Sequence, residues 1–177
     1  IGYKNFEKFL SGAREMDEHF RESPFKKNIP VILALISIWY NNFFKCETEA
    51  VLPYNQFLSK LPDYLQQASM ESNGKSIDRD GNKINYETGS IIWGSTGTNA
   101  QHAFFQLMHQ GTKLIPADFI AFVEPLNDNY EQHKILNANF LAQINALLVG
   151  SNKNGNDIHK NIEGNKPSNS ILINKLT

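Results

Sequence analysis

The sequence has little of what several classes of protein need. It contains 177 residues but a single cysteine, Cys46, which excludes a disulfide within the chain and fits a reducing compartment. Its formal net charge is −1, whereas a nucleic-acid-binding domain normally carries a basic excess. Its longest apolar run, residues 31–40, is shorter than the roughly 20 residues that span a bilayer. Composition therefore argues against nucleic acid and membrane as partners and leaves a globular domain of ordinary size.

The two ends of the sequence do not look like natural ends. Residue Ile1 is not a methionine, and it opens no basic segment followed by an apolar one, as a secretory signal would. The last residue, Thr177, follows shortly after the apolar run at 171–173. We therefore expect this sequence to be a piece of a longer protein, with a single partial domain over 1–177.

Strand-like and helix-like segments alternate along the chain. Hydrophobic spacing and turn residues predict helices over 3–21, 28–45, 56–70, 99–110 and 130–149, and strands over 47–52, 90–93, 113–123 and 170–173. This alternation predicts a layered α/β/α fold with a largely parallel sheet. A small β-hairpin insertion is expected over 75–86, around the Asp80-Gly81 turn signal, and the polar residues 151–156 are expected to form a mobile loop.

The second predicted helix is apolar nearly all round. Such a helix is expected to be buried on several sides, because it keeps no polar face for solvent. Its aromatic residues are Trp39, Tyr40, Phe43 and Phe44. Packing in the core is favoured for this cluster over a platform for a ligand.

Two residues, Glu71 and His102, have side chains suited to proton transfer. Glu71 ends a predicted helix among small polar residues, where the residues alone favour a glutamate in solvent over a catalytic base. His102 lies on a predicted helix, where a histidine is usually structural. His109 follows two helical turns later, about 10 Å along the axis, which is too far for the two to bind one metal ion. Because no His-Glu-x-x-His motif or cysteine–histidine cluster is present, we predict no metal site.

Two further patterns allow a chemical interpretation and a plain one. Glu47 and Glu49 share one face of a predicted strand, which fits acid–base chemistry, but a solvent-facing position is favoured. Residues 94–99 (GSTGTN) join a strand to a helix, where free backbone N–H groups can hold an anion. A tight turn without a ligand explains the segment at least as well, because it matches neither the P-loop nor the dinucleotide fingerprint. Thr98 or Asn99 is expected to cap the helix.

Six segments of the sequence are distinctive as whole segments: 34–44 (ALISIWYNNFF), 47–54 (ETEAVLPY), 66–67 (QQ), 70–75 (MESNGK), 97–113 (GTNAQHAFFQLMHQGTK) and 165–172 (NKPSNSIL). They closely resemble the glucose-6-phosphate isomerase family. The resemblance covers nearly all of the chain and matches the later part of those enzymes, mostly their second sugar isomerase (SIS) domain.

The resemblance implies a cytoplasmic aldose–ketose isomerase of glycolysis and gluconeogenesis that interconverts glucose 6-phosphate and fructose 6-phosphate without a metal or cofactor. Glu71 matches the family's catalytic base, which moves a proton between C1 and C2 through a cis-enediolate. His102 matches the histidine that assists ring opening, and Gln67 matches a glutamine that contacts the substrate. In this family the active site lies at a homodimer interface, and the neighbouring subunit contributes the histidine. Glu71 and His102 of one chain therefore need not meet.

The sequence lacks parts of the family's site and departs from the family in places. The Ser/Thr cluster that binds phosphate, an arginine motif and a C-terminal lysine are absent, so the chain alone is expected to be inactive. Ser95 and Thr96 stand where the family commonly has Glu-Pro, and Ala68 and Ala100 replace common glycines. The alternative function is a non-catalytic SIS-type module that binds sugar phosphates, and such a module has no need of a proton-transfer base.

Overall fold

The fold is built around one parallel β-sheet. In a computed structural model, which describes residues 2–152 and 155–176, four strands pair in the order β2-β1-β3-β4, all of them parallel. The strands are β1 (Thr48–Pro53), β2 (Ile91–Gly94), β3 (Ala117–Phe122) and β4 (Ser168–Ile173). The helices are α1 (Tyr3–Glu22), α2 (Ile29–Phe43), α3 (Leu61–Leu65), α4 (Gly97–Gln101), α5 (Phe105–Gln110) and α6 (Tyr130–Val149), with a π-helical segment at Gln66–Glu71 and 3-10 turns at Phe25–Lys27, Gln56–Leu58 and Gly155–Lys160. The predicted α/β fold with a largely parallel sheet is confirmed.

Strand β1 occupies the middle of the sheet. Its residues Ala50, Val51 and Leu52 are buried, and such a continuous apolar run is typical of a parallel strand covered on both faces. Val51 lies opposite Gly94 of β2 on one side and Asp118 of β3 on the other. The chain therefore crosses from β1 to β2 on one side and then returns past β1 to add β3 and β4 on the other side.

Aromatic rings form the core between the sheet and α6, the helix predicted over the same residues. Tyr54, directly after β1, stacks on Phe119 of β3 with 6.1 Å between ring centroids. Phe140 of α6 approaches Tyr54 edge-on at 5.4 Å, and Phe105 of α5 approaches Phe119 at 6.2 Å. All four rings are at most 3% exposed, so the burial of each contributes on the order of 2 kcal/mol.

Two predicted helices are divided in the structure. The predicted helix 56–70 consists of a 3-10 turn, the short α3 and the π-helical segment, and Pro62 lies in the first turn of α3, where its missing N–H costs little. The predicted helix 99–110 breaks between α4 and α5. It breaks because Phe104 takes a non-helical φ of −144° and packs edge-on against Trp93, with 4.6 Å between centroids.

The predicted hairpin at 75–86 is a chain reversal with little strand structure. One isolated antiparallel bridge joins Ile77 and Lys83. The Asp78 carboxylate holds the turn between them by accepting hydrogen bonds from the backbone N–H groups of Asp80 (2.9 Å) and Asn82 (2.8 Å). A side chain therefore supplies contacts that a regular two-stranded ladder would otherwise provide.

The polar segment predicted at 151–156 is described only in part. Ser151 forms an isolated antiparallel bridge with Ile162. Residues 153 and 154 lie outside the described residues, so the mobile loop expected there stays a prediction.

The prediction that α2 is buried on several sides is wrong for this chain. Leu35 is 59% exposed and Phe43 75% exposed, and the aromatic residues pack largely on one another, with 5.4 Å between the centroids of Trp39 and Phe44. Helix α1 likewise buries none of its residues. Apolar spacing predicts that a helix face is covered, but it does not say by which segment, and the described part of the chain leaves these faces open. No helix within that part is long and apolar enough to cross a membrane.

Gly94→Ala is expected to destabilise the fold by on the order of 3 kcal/mol or more. Gly94 has a φ of +155°, and a Cβ at this position would lie 1.9 Å from the carbonyl oxygen of Val51. The measurement is the thermal unfolding midpoint of the variant beside that of Gly12→Ala, a helical glycine of α1 with open space around it. The control should be neutral or gain up to about 1 kcal/mol, because alanine favours a helix over glycine. An unchanged midpoint for Gly94→Ala would contradict this close approach.

Candidate active site

Gln67 and Glu71 lie on the π-helical segment that follows α3. They are four residues apart, so their side chains share one face, and both are exposed. Short π-helical segments are rare and occur frequently at functional sites. The segment is fixed to β2, because the side-chain amide of Gln66 donates a hydrogen bond to the carbonyl oxygen of Ile92 at 2.9 Å. The sheet thus sets the position of both candidate side chains.

Glu71 is the last residue of this segment, and helical backbone continues only through Ser72 and Asn73. The backbone N–H of Gly74 donates to the carbonyl oxygen of Met70 at 2.9 Å. The Lys75 ammonium donates to the carbonyl oxygens of Glu71 (2.5 Å) and Ser72 (3.3 Å), which have lost their helical partners. The predicted position of Glu71, exposed to solvent near a helix end, is confirmed, and its role as a base stays a prediction. The backbone that carries the side chain is nevertheless held at several points.

His102 lies at the break between α4 and α5. It caps the C-terminus of α4, its backbone N–H donates to the carbonyl oxygen of Asn99 at 3.2 Å, and its side chain is exposed. Helix α4 begins at Gly97, with Thr96 as its N-cap residue. Thr98 therefore lies inside the helix, as Asn99 does, and the prediction that one of them is the cap is wrong. The helix begins earlier because a glycine at 97 allows its first residue to lie close against the core.

The segment before α4 has the geometry of a tight turn. Thr96 is 7% exposed, and its hydroxyl oxygen accepts a hydrogen bond from the side-chain amide of Asn99 at 3.4 Å. The helix that follows has five residues, too few to add a sizeable macrodipole. Of the two interpretations of residues 94–99, the geometry favours the plain turn over an anion site.

The two side chains suited to proton transfer do not meet within this chain. Among the described residues, no hydrogen bond or ion pair joins Glu71 to His102, and each side chain is open to solvent. Gln67 and Glu71 are brought together on one helical face, whereas His102 belongs to a different element. One copy of the chain therefore holds these two candidate groups on separate elements.

His109 has a structural environment. Its Nε2 lies 2.7 Å from the side-chain oxygen of Gln143 on α6, and its ring lies 5.8 Å from that of Phe105. The histidine thus ties α5 to α6, as expected for a partly buried helical histidine. In the described ranges, no group of three or more His, Cys, Asp or Glu residues is arranged to hold a metal ion.

A carboxyl pair that sequence analysis missed lies on one face of the sheet. Glu49 of β1 and Asp118 of β3 line the same cavity on neighbouring strands, and each carboxyl group affects the pKa of the other. The Ser37 hydroxyl of α2 donates to Glu49 at 3.1 Å, and the side-chain amide of Asn169 on β4 donates to Asp118 at 2.8 Å. Burial, followed by the charge of Asp118, raises the pKa of Glu49 to about 7, and burial also raises the pKa of Asp118. The two groups therefore share a proton below neutral pH.

The expectation that Glu49 faces solvent is wrong, although Glu47, just before β1, is exposed. Glu49 lines a cavity of ≈ 430 Å³ behind the π-helical segment, together with Asp118 and Ser69. The available signal was a single acidic residue within each of two apolar strand sequences. A carboxyl group in a strand covered on both faces has to find a hydrogen-bonding partner, and the nearest strands are where to look for it.

The fold and these residues define a class of protein. The chain is an open parallel α/β domain whose helix ends present an exposed carboxylate and an exposed imidazole, the groups that move protons on small molecules. The family model described as phosphoglucose isomerase matches residues 1–177. The chain therefore belongs to the phosphoglucose isomerase family, and the resemblance found in its sequence is confirmed.

Relatives of the chain include named enzymes and a solved structure. It is 56% identical over 194 residues to a glucose-6-phosphate isomerase from Christiangramia forsetii, covering 100% of this chain and 36% of the relative. It is 53% identical over 190 residues to one from Wigglesworthia glossinidia brevipalpis, covering 99% and 35%. The crystal structure of a glucose-6-phosphate isomerase from Chlamydia trachomatis matches with a TM-score of 0.92 and 38% identity, covering 100% of this chain and 35% of that chain. The chain thus spans about a third of the length of the relatives it matches.

The carboxyl pair predicts that stability falls as pH rises. The pKa of Glu49 is about 7 in the folded state against an ordinary value of 4.5, so the folded state holds the extra proton between these values and loses stability from about pH 4.5 to pH 7. Glu49→Gln keeps a hydrogen-bond donor for Asp118 without the charge. The variant is expected to be more stable than wild type at pH 8. The difference between their free energies of unfolding is expected to shift in favour of the variant by on the order of 2 kcal/mol from pH 5 to pH 8.

The measurement is thermal unfolding of both proteins across this pH range. Glu47→Gln is the matched control, because Glu47 is exposed just outside the same strand. The control should show no pH-dependent gain. Parallel curves for Glu49→Gln and wild type would contradict a shared proton.

Proposed function

We propose that this chain is part of an aldose–ketose isomerase that interconverts glucose 6-phosphate and fructose 6-phosphate in the cytoplasm. The observation that carries the proposal is the exposed pair Gln67 and Glu71 on one face of a π-helical segment fixed to the sheet, in a chain that matches the phosphoglucose isomerase family over its whole length. The chain contributes the second SIS domain, and residues 75–86 form an insertion in it.

Glu71 is the base that moves the proton. In the open-chain aldose, its carboxylate takes the proton from C2 and leaves a cis-enediolate. A proton then moves from O2 to O1, and the same carboxyl group returns its proton to C1. A carbon acid of this kind is weak, so the base has to be held at the carbon and the enediolate charge stabilised by nearby donors. The fixed backbone around Glu71 supports the first requirement, and Gln67, beside it, is placed to contact a substrate hydroxyl.

His102 assists ring opening. The bond between the anomeric carbon and the ring oxygen breaks as the anomeric hydroxyl loses its proton to solvent and becomes a carbonyl. The ring oxygen takes a proton from the His102 imidazolium, which solvent then recharges. The exposed position of His102 at a helix break supports a role on a substrate rather than in the core.

The working site needs a second subunit. Glu71 and His102 lie on separate elements without a contact in the described residues, so we propose a homodimer in which the neighbouring subunit supplies the histidine. The open apolar faces of α1 and α2 support the presence of further covering surfaces, since Phe9 is 67% exposed and Phe43 is 75% exposed. The substrate is a small sugar phosphate, with no metal or cofactor in the reaction.

Glu71→Gln in the full-length isomerase that carries this segment is expected to lower kcat by about 10²–10⁴-fold while KM changes little. The amide keeps the shape of the side chain but accepts no proton. The assay follows fructose 6-phosphate turnover, with glucose 6-phosphate detected by a coupled dehydrogenase. Glu15→Gln, an exposed position on α1, is the matched control and should be fully active. Full turnover by Glu71→Gln would reject the base, whereas a wild type that binds sugar phosphate without turnover would indicate the non-catalytic SIS-type module.

The 177-residue chain on its own is expected to give no measurable isomerase turnover. Its sequence holds neither the Ser/Thr phosphate cluster nor the arginine and lysine motifs of the family, and its catalytic side chains are open to water. The same coupled assay, with the full-length isomerase as the positive control, tests this. Turnover by the isolated chain that is abolished by Glu71→Gln would contradict the need for the remaining parts.

A further inference from the structure

Helix α4, which leads to His102, is too short to hold its own orientation. It has five residues, fewer than two helical turns, and isolated helices of this length do not form in water. The side chain of His102 is exposed and forms no hydrogen bond or ion pair with the residues that the structure describes. The direction in which the imidazole points therefore depends on the core residues that hold α4 in place.

Tyr54 is a core residue that contacts α4. A Cβ placed on Gly97, the first residue of α4, would lie 2.4–2.5 Å from three atoms of the Tyr54 ring. The backbone at the start of the helix therefore rests directly on that ring. At the other end of α4, the side-chain amide of Gln101 donates a hydrogen bond to the Tyr54 hydroxyl at 3.1 Å. One side chain thus contacts both ends of the helix.

Tyr54 is itself rigidly held. It is 1% exposed, and its ring packs on Phe119 and Phe140. Its backbone N–H continues the pairing of β1 with β3 by donating to the carbonyl oxygen of Ile120 at 2.7 Å. The hydroxyl group is therefore a fixed point of the core, and Gln101, adjacent to His102 in the chain, is bound to it.

We propose that Tyr54 is a positioning residue for His102, acting through its hydrogen bond to Gln101. The inference rests on the proposed function of His102 in ring opening. Tyr54 does not touch the substrate; it fixes the last residue of α4 and so the direction of the histidine that follows. Loss of the hydroxyl should leave the core packed but let the end of α4 shift, and shifts of about 1 Å at a reacting group can cost up to a hundredfold in rate.

The test uses Tyr54→Phe in the full-length isomerase, alone and combined with His102→Ala. Phenylalanine keeps the ring that carries Gly97 and removes only the acceptor for Gln101. In the protein that retains His102, we expect Tyr54→Phe to lower kcat between about tenfold and a hundredfold, with KM within about twofold of the wild-type value. In the His102→Ala background, Tyr54→Phe should cause no further loss, because its effect passes through the histidine. Tyr130→Phe, an exposed tyrosine at the start of α6, is the control and should be fully active.

A second pair of variants covers the case in which Tyr54→Phe fails to fold. Gln101→Leu removes the hydrogen bond from the surface side and should reproduce the loss of kcat. Gln101→Glu should restore most of it, because a carboxylate accepts a hydrogen bond from the Tyr54 hydroxyl. A merely structural role would not distinguish these two substitutions of similar size.

The possible results separate the two proposals. An equal loss from Tyr54→Phe in both backgrounds, or no loss at all beside a strong effect of His102→Ala, would overturn the positioning role and leave the isomerase proposal intact. If His102→Ala is as active as wild type, the proposed role of the histidine fails, and the positioning role fails with it.

Discussion

The rest of the structure depends on how closely the end of β2 and the start of α4 approach strand β1 and the residue after it. Strand β1 is paired on both sides, and its Val51 carbonyl occupies the space that a side chain at position 94 would need. A glycine there lets β2 end against β1 and turn over the edge of the sheet. Gly97 then lies on the ring of Tyr54, so both glycines are required by the proximity of β1 and the residue after it. The direction of α4, and with it the place of His102, follows from these contacts.

The sequence predicts the elements whose formation depends on their own hydrophobic spacing. The bounds of α6 are those predicted, and α1 ends one residue beyond its prediction, because each helix carries its apolar stripe in its own residues. Parallel strands were also predictable as apolar runs between turn signals. The order of the strands was not, since pairing of β1 with both β2 and β3 is set by long-range contacts. The open face of α2 was missed for the same reason: its cover lies outside what its own residues specify.

The predictions failed most where the candidate site residues lie. The π-helical segment with Gln67 and Glu71 is shaped by the hydrogen bond from Gln66 to β2, and the helix break at His102 by the packing of Phe104 on Trp93. Both contacts join a helical segment to strand β2, so neither leaves a periodic signal within the helix sequence itself. Local rules are expected to fail at functional sites, where tertiary contacts impose a conformation that propensity alone would not choose. Spacing alone did not identify these residues; whole-segment resemblance to the family did.

In the proposed isomerase, the exposure of Glu71 and His102 separates two tasks: placing the reactive groups and excluding water from them. An enediolate is stabilised most effectively where water is excluded, because charge–dipole interactions weaken steeply in a high dielectric. This chain supplies the opposite: rigid backbone anchors beneath two side chains that stand in solvent. It also leaves wide apolar faces on α1 and α2. Placing the reactive groups is thus achieved within the domain, whereas excluding water has to come from the surfaces that close over it. A variant of the anchors should therefore change the rate of the chemical step, and a variant of the open faces should change the assembly.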